Sequence, residues 1–340
     1  MAKFTKLLIA FLFIWLLASM DIPSFGQLNA QTNSFTAGAC IGASSGSLSR
    51  LYYPLVEDFN GDNYDDIIVI DEGSVVWIYK NDGMGGFDAG TQIFTGGVYG
   101  SMSAGDLDGD GDLDFVHRNG KAYLNDGTGV FTQYGSGPIF TGTGNVVSTA
   151  IADFNGDGKQ DIFFLNSSSN AGDDNQVWVN TGTMGNPSFA LQNGWDNQAI
   201  GPRGTVSVGD IDGDNDIDII NGNSSWNGGV YKNDGNGNFS QSQTISVYSG
   251  TAILKDWDGD NDLDFFACDR YNNSGVRLGK NDGTGTFETP PSILIFPLLA
   301  FGSEIADLNN DGTPDVLDFG RTGKPSASRI RQRVRPYCPI

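Results

Sequence analysis

Aspartate recurs in this sequence at alternate positions of short glycine-rich segments, a pattern that can bind a metal ion. The segment 106–114 shows it most clearly, with carboxylates at positions 1, 3, 5 and 9 and with Gly109 and Gly111 between them. Alternate oxygen-bearing side chains on a tightly turning backbone can converge on one cation, and the backbone carbonyl of position 7 can add another oxygen. A flexible site made only of oxygen ligands is the kind that Ca²⁺ prefers, whereas zinc would require His or Cys.

Six segments follow this template, and they begin at residues 58, 106, 153, 210, 256 and 307. About one Ca²⁺ is predicted for each. The predicted metal ligands at positions 1, 3, 5, 7 and 9 are Asp58, Asn60, Asp62, Tyr64 and Asp66; Asp106, Asp108, Asp110, Asp112 and Asp114; Asp153, Asn155, Asp157, Lys159 and Asp161; Asp210, Asp212, Asp214, Asp216 and Asp218; Asp256, Asp258, Asp260, Asp262 and Asp264; and Asp307, Asn309, Asp311, Thr313 and Asp315. The second, fourth and fifth loops have Asp at all four side-chain positions, so we expect them to bind calcium more tightly than the others.

Two other calcium motifs do not fit these segments. An EF-hand needs Gly at position 6, a bidentate Glu at position 12 and flanking helices. Position 12 is instead occupied by Val69, His117, Phe164, Asn221, Ala267 and Asp318. The nonapeptide calcium repeat has a far shorter period than the spacing found here.

The spacing of the Asp-rich loops predicts the architecture. The loops begin about fifty residues apart, which is the length of one four-stranded propeller blade. Five repeats also carry a second signal downstream, an Asn-Asp-Gly turn or a close variant followed by Phe, as in 81–87. Such turns are strong hairpin signals. Each repeat is therefore interpreted as strand, Asp loop, strand, strand, turn, strand, and the fold as an all-β propeller with six or seven blades.

The repeats resemble a known family. The segment 153–161, followed by the apolar run 162–164, is similar to an FG-GAP/VCBS repeat, and such repeats resemble the calcium-bearing blades of integrin alpha-subunit propellers. The resemblance covers roughly residues 35–319. It implies a seven-bladed propeller, a secreted or cell-surface location, and a role in adhesion or ligand binding. Six loops and a non-matching end leave the number of blades open.

The two ends of the chain differ from the repeats. Residues 1–30 have the layout of a secretory signal peptide, with lysines before a short apolar run, so secretion or cell-surface display is predicted with no membrane span after its removal. Residues 31–320 are assigned to the propeller. Residues 321–340 form an atypical basic end. The segment 34–43 lies at the spacing of a fourth strand and is predicted to complete the last blade.

The net charge of −22 is largely explained by the loops, because they contain more than half of the 41 acidic residues. Six divalent ions would offset much of it. Nucleic-acid binding is disfavoured, since it requires clustered Lys and Arg. The three cysteines are too few and too scattered for a disulfide framework or a zinc site.

The sequence favours a binding module over an enzyme. His117 is the single histidine, and no other catalytic constellation can be identified. We therefore expect a monomeric calcium-binding module for an extracellular glycan or protein ligand. Candidate contact residues are Trp195, Trp226 and Tyr271, because exposed aromatic side chains can stack on sugars or anchor partners. The alternative is a calcium-dependent carbohydrate-active enzyme that resembles a polysaccharide lyase.

Overall fold

The described part of the chain covers most of the predicted propeller. In the computed structural model the described residues are 51–84, 86–98, 100–141, 145–166, 175–192, 204–222, 228–245, 249–269, 275–289, 292–295, 300–306 and 315–320. The predicted signal peptide (1–30), the predicted closing strand (34–43) and the basic end (321–340) lie outside them, so these predictions stay untested.

The described residues form 22 strands in six antiparallel sheets. The strands are β1 (Leu51–Glu57), β2 (Asp66–Asp71), β3 (Val75–Tyr79) and β4 (Thr91–Thr95); β5 (Met102–Gly105), β6 (Asp114–His117), β7 (Lys121–Asn125) and β8 (Phe131–Gln133); β9 (Val146–Ala152), β10 (Asp161–Asn166), β11 (Gln176–Asn180) and β12 (Phe189–Leu191); β13 (Val206–Gly209), β14 (Asp218–Asn221), β15 (Gly228–Asn233) and β16 (Phe239–Ile245); β17 (Ser249–Lys255), β18 (Asp264–Asp269), β19 (Gly275–Gly279) and β20 (Ser292–Ile295); β21 (Ala300–Ala306) and β22 (Asp315–Gly320).

Each of the first five sheets is built from four consecutive strands, paired in the order in which they occur along the chain. The sixth sheet has two described strands, β21 and β22. The first strands of successive sheets lie side by side, so that β5 contacts both β1 and β9, and β13 contacts both β9 and β17. Blades stacked through their innermost strands are the architecture of a β-propeller. The predicted fold class is therefore confirmed, and so are the four strands of each of the first five repeats.

The second strands of the second, third and fourth blades carry almost unbroken apolar runs because they are covered on both faces. Every residue of β6, β10 and β14 is buried. In a strand that is open on one face, alternate residues would be exposed to solvent, but here a neighbouring blade packs on each side. Short apolar runs that begin at an Asp thus mark the central strands of the blades.

The core consists of layers between neighbouring blades rather than of one central cluster. Ile68 of the first blade packs with Phe115 and Tyr123 of the second. Val116 of the second packs with Phe164 of the third. Similar clusters join the third blade to the fourth and the fourth to the fifth. Because the second, third and fourth blades each bury their faces against two neighbours, the stability of each of them depends on both.

Helices are absent from the described ranges. Consistently, the part of the chain that the structure describes contains no helix that could span a membrane.

Candidate metal sites

All six Asp-rich loops occupy the same place in their sheets, between the first and second strands. Each has the same length, eight residues, as in 58–65 between β1 and β2 or 210–217 between β13 and β14. The ninth position is the first residue of the second strand. The loops therefore lie at one edge of the blades, together with the turns that join the third and fourth strands.

The Asp at position 1 folds the loop around itself. In the fourth loop Asp210 Oδ1 accepts a hydrogen bond from the backbone N–H of Gly213 at 2.8 Å, and its Oδ2 accepts one from Asn215 at 3.1 Å. Both donors have positive φ, 79° and 73°. Only Gly and, to a lesser extent, Asn adopt this conformation readily, which explains why these residues alternate with the aspartates.

Carboxylates converge in the three loops that have Asp at position 3. Side-chain oxygens lie within 4.8 Å of one another in Asp106, Asp108 and Asp114 of the second loop, in Asp210, Asp212 and Asp218 of the fourth, and in Asp256, Asp258 and Asp260 of the fifth. Among the described residues no such triplet forms in the first or third loop, where Asn60 and Asn155 hold position 3. Residues 307–314 of the sixth loop lie outside the described ranges.

Position 5 supports the loop, and position 7 faces the turn of the same blade. Asp214 Oδ1 accepts the backbone N–H of Asp216 at 2.9 Å, and the equivalent bond occurs in the other four described loops. The Asp216 carboxylate lies against Gly235, where a Cβ atom would be only 2.7 Å from it. Tyr64 lies in the same way against Gly83. The Gly of the turn therefore supplies both the positive φ and the space for the position-7 side chain.

The Asp at position 9 joins the metal loop to the hairpin turn of its own blade. In the fourth blade Asp218 Oδ2 accepts the backbone N–H of Ile211 at 3.0 Å, and Oδ1 accepts the backbone N–H of Asn233 at 2.8 Å. The same two bonds occur in all five described loops; the other aspartates are Asp66, Asp114, Asp161 and Asp264. These carboxylates are completely or almost completely buried.

The turn Asn continues this connection into the preceding blade. Asn233 Nδ2 donates to the carbonyl of Phe154, at position 2 of the third loop, at 2.8 Å. Asn125, Asn180 and Asn281 make equivalent bonds to Phe59, Leu107 and Ile211. Carboxylates, peptide groups and Asn side chains thus form a continuous chain of hydrogen bonds from the first loop to the fifth.

The sequence pattern predicted only a hairpin turn at this Asn, and its role between blades was not predicted. A signal for that role was present. In the third blade the turn reads Asn180-Thr181-Gly182, so the Asp is replaced while the Asn is kept. A residue needed only for turn propensity would not be retained in all five copies, because Asp and Gly serve turns equally well.

The electrostatics of the loops call for a counter-ion. Burial, and to a smaller extent the neighbouring carboxylates, raise the pKa of Asp66 and Asp114 to about 7 and that of Asp161 and Asp218 to about 6, although two backbone N–H donors act in the opposite direction. Burial likewise raises the pKa of Asp264. A buried carboxylate beside other carboxylates is costly to ionise unless a cation compensates it.

One buried oxygen has the properties of a free metal ligand. Asp212 Oδ1, in the carboxylate triplet of the fourth loop, is buried and has no hydrogen-bond partner in the described structure. A buried carboxylate oxygen without a hydrogen-bond donor has lost its hydration with nothing in return. A cation bound in the loop would compensate for this loss. The donor set, made of carboxylate and amide oxygens, fits a hard divalent cation.

The single histidine is a core residue and not part of any site. His117 ends β6, is fully buried, and packs edge-on against Phe94 with ring centroids 5.3 Å apart. Its Nδ1 accepts the backbone N–H of Asn119 at 3.0 Å. Burial lowers its pKa to about 4. This imidazole is neutral and enclosed, and therefore cannot act as a general base on an external substrate.

The fold and the loops define a β-propeller whose blades carry Asp-rich candidate metal sites along one edge. A family model described as an FG-GAP-like repeat matches residues 58–117, 117–164, 153–220 and 256–317. These segments span more than half of the chain, which therefore belongs to the FG-GAP-like repeat family. The predicted resemblance is confirmed.

Two solved structures show a similar fold. One is the BP39L lectin from Burkholderia pseudomallei, with 15% sequence identity, a TM-score of 0.57, and coverage of 79% of this chain and 78% of that chain. The other is BBS1N in complex with ARL6DN, with 11% identity, a TM-score of 0.50, and coverage of 83% and 82%. At these identities the similarity shows the fold alone. A comparison with curated protein sequences found no match.

The connection between blades predicts the effect of Asn233→Ala. This change removes the donor to Phe154 and the acceptor for the buried N–H of Gly237, and leaves both backbone groups unpaired. We expect a loss of about 2–4 kcal/mol in the free energy of unfolding, measured by urea titration. The control is Asn236→Ala in the same turn, where the side chain is exposed; it should cost less than about 0.5 kcal/mol. Equal effects of the two changes would contradict the role assigned to Asn233.

Position 9 predicts a second test, carried out in excess chelator so that metal plays no part. Asp218→Asn places an amide NH₂ against one of two backbone N–H donors, so the metal-free protein should lose about 2–3 kcal/mol of stability. In contrast, Asp216→Asn removes a charge from the acidic loop without removing an acceptor that the loop uses, and should slightly raise the melting temperature. If Asp218→Asn were neutral in chelator, the ninth carboxylate would be a metal ligand only.

Proposed function

We propose that this protein is an exported, calcium-stabilised β-propeller that binds an extracellular glycan or protein ligand. The observation that carries the calcium assignment is the convergence of carboxylates in three loops, together with the unpartnered buried oxygen of Asp212. Magnesium fits less well, because it demands strict octahedral geometry and keeps most of its water, whereas these loops offer several protein oxygens.

In this proposal positions 1, 3, 5 and 9 hold the ion with side-chain oxygens, and position 7 adds its backbone carbonyl. The bound ion neutralises clustered carboxylates and fixes the loop that joins the first and second strands. The ion has a structural role, because the Asp-rich loops have the same length in every blade and because the hairpin turn beside each loop is bonded to the preceding blade. Loops that contacted the ligand directly would be expected to differ in length between blades.

We place the ligand-binding surface at the opposite edge of the blades. There the connections between second and third strands vary, from residues 72–74 in the first sheet to 167–175 in the third. Variable loops on a rigid scaffold are where binding residues concentrate. Trp195, Trp226 and Tyr271 lie outside the described residues, but the strands that flank them end at this edge.

The support for a binding role is architectural. Similar folds occur in BP39L, which is a lectin, and in BBS1N, which was solved in complex with ARL6DN. We favour binding over catalysis because His117 is enclosed in the core and because the carboxylates of the described loops belong to the candidate metal sites. The edge of the blades that carries these sites is called the metal edge. Export remains part of the proposal on the strength of residues 1–30.

Calcium should stabilise the fold strongly. One site in the presence of free calcium at a thousand times its dissociation constant contributes about 4 kcal/mol, which at about 2.1 cal/mol/K of unfolding entropy per residue is a shift of about 6 °C in melting temperature for a chain of 340 residues. We expect excess chelator to lower the melting temperature by at least this amount, and calcium to restore it more fully than magnesium. An unchanged melting temperature in chelator would refute the calcium assignment.

Ligand binding is tested by screening the calcium-loaded, exported protein on a glycan array and against extracellular proteins. We expect saturable binding to one class of ligand, competed by the free ligand. Two variants are compared: Trp226→Ala is the test, and Trp257→Phe is its control. The first change lies between strands that end at the proposed binding edge and should weaken binding. The second alters the metal edge and should leave binding intact. Equal loss in both variants would refute the placement of the surface, and failure to bind any glycan or protein would refute the binding role.

A further inference from the structure

Two of the loops with four aspartates face a lysine side chain of their own blade. Lys232 precedes the turn Asn near the end of the third strand of the fourth blade, and its Nζ lies 3.0 Å from Asp212 Oδ2, at position 3 of the fourth loop. Lys280 occupies the same place in the fifth blade, and its Nζ lies 2.7 Å from Asp258 Oδ2. Each ammonium group therefore engages a carboxylate that belongs to a convergent triplet.

The second loop lacks this cation. The residue that precedes the turn Asn is Lys80, Leu124, Val179, Lys232 and Lys280 in the five blades. In the second blade it is Leu124, which packs against the apolar cluster around Leu107. The Asp258 carboxylate accepts a hydrogen bond from the Lys280 ammonium group at 2.7 Å, whereas the corresponding side chain in the second blade, Leu124, brings no charge to Asp108. The two carboxylates hold the same position in their loops but have different electrostatic surroundings.

The first blade separates this electrostatic effect from a structural one. Lys80 Nζ donates to the carbonyl of Thr128 in the turn of the next blade at 2.5 Å, and Lys232 Nζ donates to Thr284 in the same way at 2.5 Å. Position 3 of the first loop is Asn60, however, so Lys80 meets no carboxylate there. Lys80 thus has the contact between blades without the ion pair.

We propose that Lys232 and Lys280 are positioning residues that act as internal counter-ions at position 3, weaken calcium binding to the fourth and fifth loops, and leave the second loop as the tightest of the three four-Asp sites. The inference rests on the proposed calcium binding. An ammonium group that shares a carboxylate with a divalent cation repels that cation and occupies one of the oxygens it would use. The lysines also preserve these two loops when calcium is scarce, because they neutralise part of the acidic cluster.

The fifth loop offers a direct readout. Trp257 stands at position 2 of this loop, so Tb³⁺ bound there in place of calcium should luminesce when tryptophan is excited, and Trp257→Phe should remove that signal. We expect Lys280→Met to raise the affinity of the Trp257-sensitised site for Tb³⁺ by about tenfold. Calcium competition should show a shift in the same direction. Lys80→Met is the matched control and should leave this affinity unchanged.

The reverse change tests the second loop. Leu124→Lys introduces the cation beside Asp108 and should lower the affinity of the tightest calorimetric calcium site by about tenfold, whereas Leu124→Met should not. An affinity within twofold of the original protein in both Lys280→Met and Leu124→Lys, with calcium binding still measurable, would overturn the proposal. A complete absence of Tb³⁺ and calcium binding would instead refute the proposed function. Melting temperatures in chelator identify any variant that fails to fold, and the other variant then decides the question.

Discussion

The buried carboxylate at the start of each second strand is the constraint on which the rest of the propeller depends. Asp114, for example, is fully buried, and both its oxygens accept backbone N–H groups, from Leu107 in its loop and from Asn125 in its turn. An ion can remain at such depth only if its charge is met by donors or by a cation. One carboxylate thereby determines the loop, the turn and the packing between blades together.

This constraint explains why the fold was readable from the sequence. The repeat period, the hairpin turns and the apolar runs all predicted four-stranded blades, because each signal is local. The retained Asn at position 180 indicated a role beyond the turn, but the partner could not be predicted, since Leu107 lies in the preceding blade and no local pattern specifies that pairing. The ion pairs of Lys232 and Lys280 were missed for a related reason. The sequence alone does not show that a lysine before the turn pairs with the Asp at position 3, because this contact depends on the register of the sheet.

The two edges of the blades are under different physical demands. At the metal edge, each loop of fixed length is held by its own carboxylates, by the turn of its own blade and by the Asn of the next blade. A change in loop length there would break several buried hydrogen bonds at once. At the opposite edge the connections between the second and third strands differ in length between blades. A repeat built in this way can vary the connections at that edge without disturbing the scaffold.

The hydrogen-bond chain also determines how stability is distributed. Phe154 donates its N–H to Asp161 of its own blade and accepts at its carbonyl the amide of Asn233 in the next blade. The two backbone groups of one residue therefore take part in the order of two blades. In a repeat array whose stability comes largely from interfaces, anything that orders one loop also favours its neighbour. The described loops are thus coupled elements along one edge of the blades, and the order of a single loop matters beyond the blade that carries it.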